Sequence, residues 1–342
     1  MPKKKGIKLP IFLDHSSLKY PFPENLLNEL SQELQNMNIY PSGGRYRDLS
    51  FKLAEYTGVT TEHILPTNGS DEVIEAVTRA FGNQLILIPV PTFSQYEVSA
   101  DRNKFAKKLV TCLSGDDYQL NYSNGDLKKA SLVWICNPNN PTGNSIPRRE
   151  IEKILSNTSG IVAVDECNFE YLGESVIDLI EQYPNLVISR SFSKNFGLAG
   201  FRLGFAVSSP LNIKKIANYC QHFRVNKMAE IAGMRALKYL DYYKHKWQEI
   251  GQTRKQFIDG LQQMKLKVFL SHTNFVLVDF ITKEKTNRVW GYLKREGVHT
   301  FPAWGEEFSG LDNHYIRFTI GNQKEMSFVL MLLKDFQKSV SA

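Results

Sequence analysis

The chain is most constrained by a series of short β-branched runs, several of them apolar throughout, at residues 85–90, 108–113, 132–136, 161–165, 186–190 and 203–207. Gly, Pro or Asn bound them, and helical or loop stretches separate them. A strand with no polar face has to be covered on both sides, so these runs predict a mostly parallel sheet sandwiched by helices, an α/β fold. Between them, Val73, Ile74, Val77, Ala80 and Phe81 form one stripe of a helix opening near Ser70, and Ile151, Ile154 and Leu155 begin another. After about residue 211 the pattern changes to helical stretches at 226–246 and 246–264, a strand at 275–280, a helix near 286–296, a strand at 315–321 and a last helix from Asn322. That predicts a smaller α+β part. The first forty residues carry Pro10, Pro21, Pro23 and one helix near 24–37, which could pack on either part.

Composition narrows the class. A length of 342 residues admits two domains, and 42% apolar with 23% charged residues excludes disorder over most of the chain. The longest apolar runs fall far short of the ~20 residues that cross a bilayer. Lys3, Lys4, Lys5 and Lys8 are not followed by the apolar stretch of a signal peptide, so a cytoplasmic protein is expected. Cys112, Cys136, Cys167 and Cys220 show no CxxC spacing, which points to reduced, structural cysteines and to no metal site. Of the net charge of +7, those four lysines supply +4. A nucleic-acid-binding role would rest on this short tail, which a solvated flexible segment explains better.

Four segments carry chemistry. Residues 191–202, SFSKNFGLAGFR, follow the run at 186–190 and so place Lys194 at the carboxyl end of a strand, where open α/β sheets bind ligands. A lysine there can form a Schiff base; Ser191 and Ser193 beside it can hold a phosphate, and Arg202 offers the same anion a planar fork. Asp165 ends a buried strand, where a carboxylate needs a cation or else caps the next helix. The turn NPNNPTG (137–143) aims an amide back over the strand ends. Asn68-Gly69-Ser70-Asp71-Glu72 opens a helix, offering free N–H groups to an anion or simply capping itself. A lysine, an aspartate, an asparagine and a phosphate cradle at the strand ends of one sheet are what pyridoxal phosphate requires.

From residue 38 to about 325 the chain resembles the fold-type I pyridoxal-phosphate enzymes, and among them the histidinol-phosphate aminotransferase family and its relative threonine-phosphate decarboxylase. NPNNPTG, SFSKNFGLAGFRLGF and YIRFTIG, in this order, carry the resemblance. It implies a large cofactor-binding domain over 40–245 with a seven-stranded-type sheet, and a small domain from 1–39 and 246–342. It implies that Lys194 carries the cofactor as a Schiff base, that Asp165 pairs with its pyridine nitrogen and that Asn140 contacts its ring oxygen. Gly69, Ser70 and Asp71 with Ser191, Ser193 and Arg202 would hold the phosphate, and Phe93 would stack on the ring. Tyr40 matches a tyrosine that reaches the phosphate of a neighbouring subunit, implying a homodimer with shared sites. Arg317 matches the arginine that clamps the substrate α-carboxylate, an arrangement that favours loss of the Cα proton and transamination.

Two positions depart from the family pattern. Asn168 stands where a tyrosine usually donates to the ring oxygen. In 297–307, GVHTFPAWGEE, the arginine that binds a substrate phosphate is missing and two glutamates follow. A phosphorylated donor would then need Lys19, Arg45, Arg47 or Arg224, whereas Phe301 and Trp304 could line an apolar pocket or merely anchor the loop. The resemblance implies an aminotransferase with a small amino donor and a keto-acid acceptor such as 2-oxoglutarate. The alternatives are a decarboxylase of O-phosphoserine or O-phosphothreonine and, outside enzymes, a cofactor-free nucleic-acid-binding protein.

Overall fold

The computed structural model describes residues 8–41, 46–114, 117–302 and 307–341. Its main sheet has seven strands in the order Ile64–Thr67, Gly204–Ser208, Leu186–Ser191, Ile161–Asp165, Ala130–Cys136, Leu85–Val90, Ala106–Thr111. The last five run parallel, and Gly204–Ser208 is antiparallel to both of its neighbours.

Alternate residues of each strand feed opposite cores, which is why the runs are apolar throughout. Ile86, Ile88, Leu132, Trp134, Ala163, Val187 and Ala206 pack on one face, with Val73, Ile74 and Val77 of the helix Gly69–Phe81. Leu87, Val133, Ile135, Val162, Val164, Ile188 and Phe205 face the other way, into a core that continues to the second sheet.

That second sheet has the order Ile11–Leu13, Val298–Pro302, Tyr315–Thr319, Phe275–Asp279, Lys267–Val268. Arg317 is central in it, opposite Phe301 on one side and Leu277 on the other. The N-terminal segment touches both parts. Ile11–Leu13 is an edge strand of the smaller sheet, while the helix Glu24–Glu33 meets the helix Lys227–Lys238 and its cap, with Glu29 accepting from Tyr239 at 2.6 Å.

Several boundaries differ from the sequence reading. The run at 108–113 is divided: Ala106–Thr111 is a strand of the main sheet, and after Cys112 the chain leaves it, Leu113–Ser114 pairing instead with Asp117–Tyr118. The long helices break at Tyr239 rather than Lys246, giving Lys227–Lys238 and Leu240–Gln263. Residue 245, the domain boundary drawn from sequence, thus lies inside a helix. The first helix ends at Glu33 and continues as the 3-10 turn Leu34–Asn36. Ile64–Thr67 and Ile11–Leu13 are too short for periodicity to register. Among the described residues no helix is long and apolar enough to cross a membrane.

Candidate active site

The parallel strands end together, and the segments after the inner ones reach one cavity of about 510 Å³. Cys136 and Asp165 are register partners at the ends of adjacent strands, and Ser191 ends the next. Gly204–Ser208 starts at that same edge because it is antiparallel, so Arg202, two residues earlier, arrives there too. Ser70, Asp71, Phe93, Asn140, Asp165, Asn168, Ser191, Ser193, Lys194 and Arg202 all line the cavity, with His15, Ser17, Cys136, Cys167, Ala199 and Glu307.

At one end the helix Gly69–Phe81 presents its N-terminus. Asn68 makes no side-chain cap bond, so the first-turn amides stay open to an anion, with the dipole behind them. Gly69 has φ +76°, and a Cβ there would stand 2.8 Å from Arg202 Nη2. A Cβ on Gly204 would meet the Gly69 carbonyl carbon at 2.5 Å, so a side chain at 204 would push the cradle away. Arg202 itself has φ +60° and donates to Asp71 at 2.6 Å. Ser191 caps the short helix Phe192–Asn195 by accepting from the Ser193 amide.

Asp165 accepts from the Tyr96 hydroxyl at 2.6 Å and from the Cys167 amide at 3.1 Å. Burial raises its pKa against these two bonds, and among the described residues no cation meets it. Tyr96 is itself fixed by a stack on Trp134, with centroids 4.7 Å apart. Lys194 follows one turn after the strand Leu186–Ser191. Burial, then the charge of Arg317, lower its pKa. Its loop is pinned: Tyr171 donates to the Lys194 carbonyl at 3.1 Å, Trp247 to that of Asn195 at 2.7 Å, and the Asn195 amide to Glu170. In the turn at 137–143, Asn137 and Asn139 hold the backbone, leaving Asn140 to reach the wall.

Three of the sequence candidates do not line the cavity. Gly69 shapes it from behind. Tyr40 is 75% exposed, with its ring against Phe223. Arg317 is fully buried behind Asn140 and Glu307, donating to Asn140 Oδ1 at 2.8 Å and to Glu307 Oε1 and Oε2 at 2.8 and 3.2 Å. Of the cations considered for a substrate phosphate, Lys19, Arg47 and Arg224 are not on the wall, and Arg224 is turned to the Pro66 carbonyl. Arg45 and Trp304 lie outside the described residues. Phe301 faces the Arg317 guanidinium from 5.1 Å. Sequence reasoning missed Tyr96, His15, Ser17 and both cavity cysteines. Tyr96 and Asp165 are 69 residues apart, and nothing but the folded sheet joins them.

The profile of the aminotransferase class I and II family matches residues 12–330. The chain belongs to the class I and II aminotransferases. It is 35% identical over 306 residues to the histidinol-phosphate aminotransferase of Desulfitobacterium hafniense (strain Y51), spanning 86% of this chain and 84% of that protein. It is 33% identical over 331 residues to histidinol-phosphate aminotransferase 1 of Carboxydothermus hydrogenoformans, 93% and 90% of the two chains. Among solved structures, the histidinol-phosphate aminotransferase of Clostridium acetobutylicum superposes with a TM-score of 0.87 at 26% identity, covering 96% of this chain and 99% of that one. The L-threonine-O-3-phosphate decarboxylase of Porphyromonas gingivalis shares the fold, with a TM-score of 0.84 at 24% identity over 96% and 99%.

This aminotransferase is pyridoxal-phosphate-dependent. Its cavity suits that group in three respects. Open helix amides and Arg202 suit a phosphate, and the desolvated Asp165 carboxylate suits a cationic ring nitrogen. Asn168 also lines the wall, and its Oδ1 is buried without a partner among the described residues, an acceptor that a donor on a bound molecule would satisfy.

Proposed function

We propose that the chain is an aminotransferase of the histidinol-phosphate aminotransferase type, passing the amino group of an amino acid or an amino-alcohol phosphate to a keto acid. The observation that carries this reading is one cavity whose wall holds Lys194, its pKa lowered by burial, together with Asp165 and the Glu307 that pairs with Arg317. Lys194 would hold pyridoxal phosphate until the amino group of the substrate takes its place. The cofactor would then supply an electron sink for the bond that breaks at the substrate Cα while Lys194 is free as an amine. Ser70, Asp71, Ser191, Ser193 and Arg202 would hold its phosphate. Asp165 would keep a proton on its ring nitrogen, Phe93 would lie against the ring, and Asn140 and Asn168 would hydrogen-bond its ring oxygen. The Lys194 amine, made less basic by burial, moves the proton to and from the substrate Cα. Arg317 orients the anionic end of the substrate so that the Cα–H bond, rather than the bond to a carboxylate, is the one that breaks.

Tyr40, strongly exposed beside Phe223 and Ile39, supports a homodimer in which it reaches the partner's phosphate site. The four free cysteines support a cytoplasmic location. Two domains divided within the helix Leu240–Gln263, with Ile11–Leu13 of the N-terminal segment belonging to the small one, fit this reading.

The test is product analysis of the cofactor-loaded enzyme with 2-oxoglutarate and a series of donors: L-glutamate, L-histidinol phosphate, aromatic amino acids, O-phosphothreonine. A keto or aldehyde product with equimolar glutamate from a non-glutamate donor supports the reading. Carbon dioxide with an amine product replaces it by decarboxylation.

A further inference from the structure

Arg317 is wholly inside the protein, boxed by the rings of Phe275, Phe301 and Phe308 at 5.2, 5.1 and 4.9 Å. Its Nη1 donates to Asn140 Oδ1 and Glu307 Oε1, its Nη2 to the Asp14 carbonyl and Glu307 Oε2. Glu307 therefore grips the outer edge of the guanidinium with both oxygens, in the two-point manner of an incoming carboxylate. It is also the residue that lines the cavity there, whereas Arg317 does not.

We infer that Glu307 is a specificity-determining residue: its carboxylate occupies the anion seat on Arg317 until the carboxylate or phosphate of a substrate displaces it. This rests on the reading of Arg317 as the substrate clamp.

The backbone of Glu307 is fixed. Its carbonyl accepts from the Ser94 amide at 2.9 Å, and the next residue pairs with Phe93. Only the side chain is free to leave, and it is 19% exposed, so rotation carries the carboxylate toward water. Leaving a buried guanidinium bare is costly, so the seat stands empty only a small fraction of the time before another anion takes it. The seat then discriminates. A ligand with an anion able to take both Nη groups competes with Glu307, and a ligand without one gains nothing from Arg317. If the seat is open to ligand about a tenth of the time, apparent affinity for such anions is weakened about ten-fold.

The probe is succinate, a carboxylate that cannot react. Its binding to the cofactor-loaded protein is measured by calorimetry for wild type, Glu307→Gln and Glu307→Ala, beside kcat and KM for L-glutamate. Succinate should bind about ten-fold more tightly to both variants, and the glutamate KM should fall by the same factor with kcat within about two-fold. Succinate should also raise the Tm of the variants more than that of wild type, which a merely structural glutamate would not produce. Should both variants fail to fold, Glu307→Asp keeps the charge but shortens the reach, and a tighter succinate in that variant carries the same meaning. Unchanged or weaker succinate binding in folded variants overturns the inference. Because succinate binding needs no turnover, the two readings fail separately. A transaminating enzyme with unchanged succinate binding loses this inference alone. Tighter succinate in a protein that forms no keto product overturns only the function proposed above.

Discussion

Arg202 lines the cavity and Arg317 lies buried behind its wall, and each is paired with an acid of its own chain. The Arg202–Asp71 pair spans 2.6 Å with side chains 42% and 55% exposed, whereas the Arg317–Glu307 pair spans 2.8 Å at 0% and 19%. An exposed pair is worth about 0–1 kcal/mol, so Arg202 can turn to a phosphate at little cost. A buried pair is different, because removing one partner strands a charge in a low dielectric. Arg202 is thus held loosely and open, and on the reading proposed above Arg317 gives up Glu307 only in exchange for another anion.

Lys194 lines the same cavity and feels charges from both pairs, Arg317, Glu307 and Asp71, and its loss should have the largest effect. Lys194→Ala should lower turnover by about 10^4-fold, the upper range for a positioned base, in steady-state assays with saturating cofactor. Residual activity within ten-fold of wild type would put the chemistry elsewhere. Asp165→Asn keeps the shape but not the charge, and should reduce kcat by about 10^2–10^3-fold, as removing one preorganised electrostatic contact does. The same variant should raise the Tm of the cofactor-free protein, since burial already disfavours that carboxylate.

Removing the acid from each pair tests the comparison itself. Glu307→Ala should destabilise the cofactor-free protein by about 3–5 kcal/mol, as for a buried charge left alone. Asp71→Ala should cost about 0–1 kcal/mol, as for a surface pair. Equal losses in urea denaturation would erase the distinction.

A third acid sharpens it by having no cation in direct contact among the described residues. Glu170 accepts from Tyr56 at 3.0 Å and from the Asn195 amide beside Lys194, and burial pushes its carboxyl up from 4.5 to about 8. The folded state keeps this proton where the unfolded state has lost it. Its contribution to stability is therefore largest below pH 4.5 and declines as pH rises to about 8. Glu170→Gln should flatten that part of the stability profile and be the more stable protein at pH 8 and above. A wild-type slope that survives the substitution would assign the titration to another group.

The surroundings of the two arginines also differed in how far they could be read in advance. The cofactor side is built from residues immediately following strands: Cys136 and Asn140, Asp165 and Asn168, Ser191 and Lys194. A strand recognised by its apolar run therefore carries its site residue with it. The substrate side is assembled across the chain. Arg317 meets the Asp14 carbonyl 303 positions away and Asn140 at a separation of 177. Glu307 is aimed by a two-residue pairing, Phe308–Ser309 with Thr92–Phe93, far too short to leave a periodic signal. Tyr96 was hidden for a related reason. Its helix, Gln95–Arg102, is too short to stand out in the sequence, and the Asp165 it holds comes from a strand two places across the sheet. The missing arginine at Phe301 was visible from sequence. That Phe301 becomes one wall of the Arg317 box depends on the register of the small sheet.

The central claim is that Lys194 and its surroundings move an amino group. The most direct measurement is a single turnover: cofactor-loaded protein mixed with excess L-glutamate, and separately with L-histidinol phosphate, with no keto acid present. The account predicts one equivalent of keto or aldehyde product per site from at least one donor, no carbon dioxide, and no product from Lys194→Ala. Carbon dioxide release, or product formation undiminished in Lys194→Ala, would contradict it.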